Sequence, residues 1–149
     1  MEDNTMVHVE RTFTVRRPRK VVVDYLRDFA HAEAWDPGTQ RCVRSTPGPI
    51  GVGTEWHNES KLAGISTELT YRLVEDRQDV VEFEGRNKTA TTVDHIAFED
   101  AGDDSTRITY VATITFNGLA KLSDPVFKLI FERIGDKTVD AMTRTLEGL

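Results

Sequence analysis

The chain carries a single cysteine, Cys42, among 149 residues. No intrachain disulfide can form, so stability must come from packing, and a reducing, cytoplasmic setting is the expectation. Long apolar runs are also missing. No stretch reaches the roughly 18 consecutive apolar residues of a membrane span, and the acidic start Met1-Glu2-Asp3-Asn4 is unlike a secretory leader. Membrane insertion is not expected. Basic excess is absent too: 19 Lys and Arg stand against 25 Asp and Glu, a formal charge of −6. Such a field repels phosphate backbones, so nucleic acid is not an expected partner. The one basic cluster, Arg16-Arg17 and Arg19-Lys20 around Pro18, reads as a solvated strand-to-helix corner.

Catalytic signatures are equally scarce. His8, His31, His57 and His95 have neither metal-ligand spacing nor a cysteine pair beside them. No glycine-rich loop follows a strand and opens a helix, and no nucleophile elbow is present. No metal and no cofactor are expected. Without repeats, low-complexity tracts or Gly/Ser linkers, the chain reads as one domain over 1–149, a monomer or homodimer.

What is present is periodicity. Residues 7–15 alternate, with Val7, Val9, Phe13 and Val15 on one side, as in a half-buried strand. Pro18 can open a helix, and Val22, Val23, Leu26 and Phe29 recur at helical spacing, predicting one or two short helices over 19–35. Further strands are predicted at about 54–60, 66–74, 80–86, 91–99 and 106–116, separated by short turn-rich links that suit an antiparallel meander. Charged residues placed outward leave Leu69, Tyr71, Leu73, Val81, Phe83, Ile108, Tyr110, Ala112, Ile114 and Phe116 on one inner face. From Leu119 the spacing turns helical, with Leu122, Val126, Leu129, Ile130, Ile134, Met142 and Leu146 on a stripe. Asp124-Pro125 reads as an N-cap and first helical residue, with Asn117–Ser123 a separate lead-in. The fold class is α+β: a curved antiparallel sheet of about six to seven strands around a long C-terminal helix.

These features resemble those of the START-like, or helix-grip, superfamily, in particular its polyketide cyclase/dehydrase and lipid-transport group. The similarity is carried by Val22 through Trp35-Asp36-Pro37, by Gly51-Val52-Gly53-Thr54 before Trp56, by Tyr71 to Glu75 and by Thr106 to Tyr110, and it spans residues 7–147. The resemblance implies an apolar cavity between sheet and helix, and ligand carriers as well as cyclases share the fold.

The candidate lining follows from the inner faces. Asp94 shares a face with Thr92, Ile96 and Phe98; a carboxylate there needs a partner or a raised pKa, and it could anchor a ligand or transfer a proton. The opposite register would turn His95 inward instead. Trp56, Asn58, Tyr71 and Tyr110 combine contact area with polar handles, and Leu69 and Phe83 add apolar lining from the same inner face. Arg11 falls on the inner face of the first strand, where it would pair with Asp94 or a ligand acid, unless a bulge turns it outward. On the helix, Phe131, Gly135, Thr138, Ala141 and Met142 are expected to overlook the cavity, with Gly135 marking a void. Asp94, Arg11 and Tyr110 are the catalytic candidates should turnover occur. Three functions remain open: binding of a small hydrophobic molecule such as a lipid or polyketide, a polyketide cyclase or dehydratase using the same cavity, and a protein-interaction domain.

Overall fold

In the computed structural model, which describes residues 6–62, 64–116 and 125–149, the period-2 segments and one further strand form one seven-stranded antiparallel sheet. The strands are β1 (Met6–Val15), β2 (Thr39–Arg44), β3 (Glu55–Leu62), β4 (Ile65–Asp76), β5 (Val80–Arg86), β6 (Ala90–Gly102) and β7 (Ser105–Phe116). Between β1 and β2 lie α1 (Arg19–Leu26), a 3-10 turn (Phe29–His31) and α2 (Ala32–Trp35), and α3 (Pro125–Glu147) ends the fold. The spatial order is β1-β7-β6-β5-β4-β3-β2, so six consecutive strands make a meander and the first strand closes against the last. This curved sheet gripping α3 is the helix-grip architecture.

Strand β2 is the element that periodicity misses. Its residues are buried only at Thr39 and Cys42, with a bulge between Thr39 and Arg41, so an edge strand with this spacing never shows an alternating pattern. The β6–β7 connection is tighter than expected. Asp103 and Asp104 alone make the turn at φ 51° and 57°, the two positive values that suit a two-residue hairpin. In α3, Leu129 is 52% exposed and leaves the apolar stripe, because Phe131, Gly135, Thr138, Met142 and Leu146 define the inward face at helical spacing. The expected lead-in Asn117–Ser123, with Leu122, the Asp124 cap and the side chain of Val126, lies outside what the structure describes.

The interior divides along α3. Met142 and Leu146 are fully buried in the main core with Val15, Leu26, Phe29, Trp35, Trp56, Phe83 and Ile108. Phe29 is its hub, 4.2 Å between ring centres from Tyr71 and 4.6 Å from Phe83, with Trp35 and Trp56 presented edge-on at 5.8 and 6.3 Å. Nearer the start of α3, Phe131 and Ile134 join Val7, Val9, Ile114 and Phe116 in a smaller cluster. The basic corner is solvated, with the Arg16 and Lys20 side chains 83% and 86% exposed, and it also holds the end of α3. The Arg17 guanidinium donates to the carbonyls of Glu147 and Leu149, and the Arg16 amide donates to Glu147 Oε2 at 2.9 Å. Cations thus sit on the C-terminal end of α3, where its unpaired carbonyls and dipole favour them.

Candidate functional site

Between the two apolar clusters the sheet and the first half of α3 stand apart, leaving a cavity of about 310 Å³. The walls come from β1, β4, β6, β7 and α3, with Ser60 of β3 and residues of the α2–β2 and β5–β6 turns completing the lining. Its volume is in the range of small-molecule sites, and its surface is mostly apolar.

The polar exceptions are few and ordered. Asp94, only 6% exposed, pairs with Ala112 across β6–β7, and its Oδ2 accepts a 2.7 Å hydrogen bond from the Tyr110 hydroxyl. Burial, reinforced by the charge of Asp36 and only partly countered by the Tyr110 bond, pushes the Asp94 carboxyl up to about 7. Burial also lifts both Tyr71 and Tyr110 well above the usual phenol range, so they stay protonated at neutral pH. The Thr92 hydroxyl donates to the Tyr71 hydroxyl at 3.2 Å. Tyr71 reaches it by lying over Gly85, which pairs with Tyr71 on one side and Thr92 on the other. A Cβ on Gly85 would sit 2.6 Å from Thr92 Oγ1 and 2.7 Å from the Tyr71 ring. This glycine is a packing requirement of the site, and a glycine inside a strand is the sequence signal that marks such a spot.

Asp36 is the other residue missed. Following Trp35 in a short connection, it has no periodic pattern to mark it, yet it is half-buried and lines the cavity. Its oxygens accept from the Thr39 hydroxyl at 2.8 Å and the Gly38 amide at 3.2 Å, bonds that lower its pKa but do not outweigh burial, which raises it.

Of the expected lining, Leu69, Tyr71, Thr92, Asp94, Tyr110, Phe131, Gly135 and Thr138 stand on the cavity wall. Trp56, Asn58, Phe83 and Met142 do not; all four are fully buried in the solid part of the interior. Alternation tells which face a residue occupies but not how far along the strand the space is filled, and Phe29 with α1 and α2 fills that end. The handles of Trp56 and Asn58 are already engaged there, by Asp28 Oδ1 at 2.9 Å and Thr39 Oγ1 at 3.1 Å. Ala141 faces a separate surface hollow beside Glu33, Asp140 and Arg144.

Arg11 stands opposite Tyr110 but does not meet Asp94. Its guanidinium turns to α3, donating to Glu132 Oε1 at 2.8 Å, the Glu132 carbonyl at 2.9 Å and Asp136 Oδ1 at 2.9 Å. Nor does Gly135 mark a void, although it borders the cavity. A Cβ there would lie 2.6 Å from Val9 Cγ1 and 3.3 Å from the Arg11 guanidinium, so the glycine lets the helix pack closely on β1. His95 points to the other face of the sheet, its Nδ1 2.7 Å from Glu82 Oε1. Glu75, Glu82 and His95 present ligand atoms within 4.8 Å of one another, the one such grouping among the described residues, and it lies across the sheet from the cavity. Cys42 is buried, which pushes its thiol up to about 12 and leaves it unreactive.

The sequence profile described as polyketide cyclase/dehydrase and lipid transport matches residues 6–147. The chain belongs to this family. As a polyketide cyclase/dehydrase and lipid-transport family member it shares its fold with many solved structures. The Zhui aromatase/cyclase of a Streptomyces species is 17% identical, with a TM-score of 0.73 over 96% of this chain and 92% of that one. A START superfamily protein from Mycobacterium smegmatis is 12% identical, with a TM-score of 0.79 over 95% and 97%. A major latex-like protein from Panax ginseng is 14% identical, with a TM-score of 0.65 over 92% and 97%. At these identities the likeness is one of fold. No curated protein matches the chain. No helix among the described residues is long and apolar enough to cross a membrane.

Proposed function

We propose that this family member binds a small hydrophobic ligand in the cavity between the sheet and the first half of α3. The observation that carries this reading is the cavity itself, about 310 Å³ of space walled by apolar side chains in a domain whose other half is packed solid. Natural interiors rarely keep voids larger than a water molecule, so an apolar space of this size is kept for an occupant. The test is direct. Mass spectrometry of an organic extract of the purified protein should show a co-purifying apolar compound, and the neutral dye Nile red should bind with a blue-shifted emission. Ala112→Trp, which places an indole on the cavity wall, should lower dye affinity at least several-fold while the protein stays folded. Unchanged dye binding by that variant would remove the cavity as the binding site.

A second reading, a cyclase or dehydratase, draws on the Asp94–Tyr110 pair. A carboxyl poised near neutrality and hydrogen-bonded to a phenol can take a proton from an activated carbon or give one to a leaving hydroxyl. It predicts turnover of a polyketide-like substrate that Asp94→Asn abolishes. A protein-interaction domain has no need of an unfilled apolar interior, so the cavity favours the ligand readings over that one.

A further inference from the structure

The charges around the cavity are of one sign. Two carboxylates, Asp36 and Asp94, stand on its wall, and no Lys, Arg or His does among the described residues. Arg11, the cation that topology brings nearest to Tyr110, is committed to Glu132 and Asp136 on α3. The neutral groups are largely occupied with one another: Tyr110 donates to Asp94 Oδ2, Thr92 to Tyr71, and Thr138 to the Ile134 carbonyl at 2.9 Å. Both oxygens of Asp36 accept hydrogen bonds. Left over are the Tyr71 hydroxyl proton, the Thr113 hydroxyl and, as the one charged atom, Asp94 Oδ1, which none of the described hydrogen bonds engages and which belongs to a residue more than nine-tenths buried at the cavity wall.

A carboxylate oxygen left unengaged on the wall of an apolar cavity favours the ligand end that satisfies it. A ligand carboxylate would be held against two acids with no counter-charge and little water to screen them. A hydroxyl would donate one neutral hydrogen bond. A protonated amine would donate a charge-assisted one and also relieve the repulsion between Asp94 and Asp36. Resting on the cavity-ligand reading above, we propose that the preferred occupant is an apolar amine, its ammonium set against Asp94 Oδ1 and its hydrocarbon lying between the sheet and α3.

The experiment is displacement of Nile red from the intact protein at pH 7.5 by decylamine, decanol and decanoate, each below its micelle-forming concentration. The three probes share one chain and differ in the charge of the head. Decylamine should displace the dye at a roughly tenfold lower concentration than decanol, the usual margin of a charge-assisted over a neutral hydrogen bond, and decanoate should be the weakest. Asp94→Asn, checked for folding by circular dichroism, should bring decylamine to the level of decanol. Decanol or decanoate displacing as well as decylamine from the unaltered protein would overturn the amine assignment while leaving the cavity reading in place. That comparison needs no variant to fold. Failure of Nile red to bind at all would bring down both.

Discussion

At the scale of single residues, Asp94 couples the site to stability. In the fold its carboxyl keeps its proton up to about pH 7, whereas in the unfolded chain it releases it near pH 4. Between those values the folded state binds more protons than the unfolded one, so stability must fall as pH rises through this window and then level off. The drop is on the order of 4 kcal/mol for Asp94 alone, and Asp36, raised in the same direction, adds to it. Urea unfolding at pH 4.5 and pH 8 should show the unaltered protein losing stability toward alkaline pH, and Asp94→Asn showing a shallower slope and greater stability at pH 8. Equal slopes would mean that Asp94 is not titrating in the fold as its burial requires. Gly135 makes an opposite point about small residues. Alanine there gains about 1 kcal/mol of helix propensity, but its Cβ meets Val9 Cγ1 at 2.6 Å in a packed cluster. Gly135→Ala should therefore cost about 1–3 kcal/mol net, and the cost should vanish when Val9→Ala makes room. A stabilised Gly135→Ala protein would show that α3 has slack over β1.

Among the elements, α3 has two occupations. Its last turns complete the main core through Met142 and Leu146 and are tied to the β1–α1 corner by Arg16 and Arg17, while its earlier turns roof the cavity. Removing everything from Pro125 onward should leave a chain that does not fold as a monomer. Losing Phe131, Met142 and Leu146 alone removes roughly 5–9 kcal/mol of apolar burial, comparable with a domain's net stability. A cooperative unfolding transition in that truncated chain, seen by circular dichroism, would contradict this. These elements also show what could be read in advance. Strands β1, β4, β5 and β7 and the helical character of α3 were legible because each buries one clean face. Strand β2 was not, since its bulge breaks the alternation. The wall of the site was legible through Asp94, Thr92, Tyr71 and Tyr110, which follow from face alone. Asp36 comes from a turn brought back against the sheet, and Trp56, Phe83 and Met142 belong to the filled end, a distinction of depth that a linear pattern does not carry.

Taken whole, the molecule is a half-filled grip: aromatic packing around Phe29 at one end, an apolar cavity with an acidic wall at the other. The filled end should fix the fold and the open end the ligand. Phe29→Ala is expected to cost about 3–5 kcal/mol in unfolding experiments, whereas cavity substitutions should act first on binding. The closure of the sheet has a consequence of another kind. Strand β1 finds its partner only in β7, Val7 opposite Ile114, about a hundred residues later, while every other strand pairs with its neighbour in sequence. During synthesis, therefore, β2 to β6 can assemble as they leave the ribosome, but the first strand must wait with its Val7 and Val9 face uncovered until β7 has emerged. A nascent chain arrested before Ser105 should be the species that chaperones hold, and one arrested after Glu147 has cleared the exit tunnel should escape them.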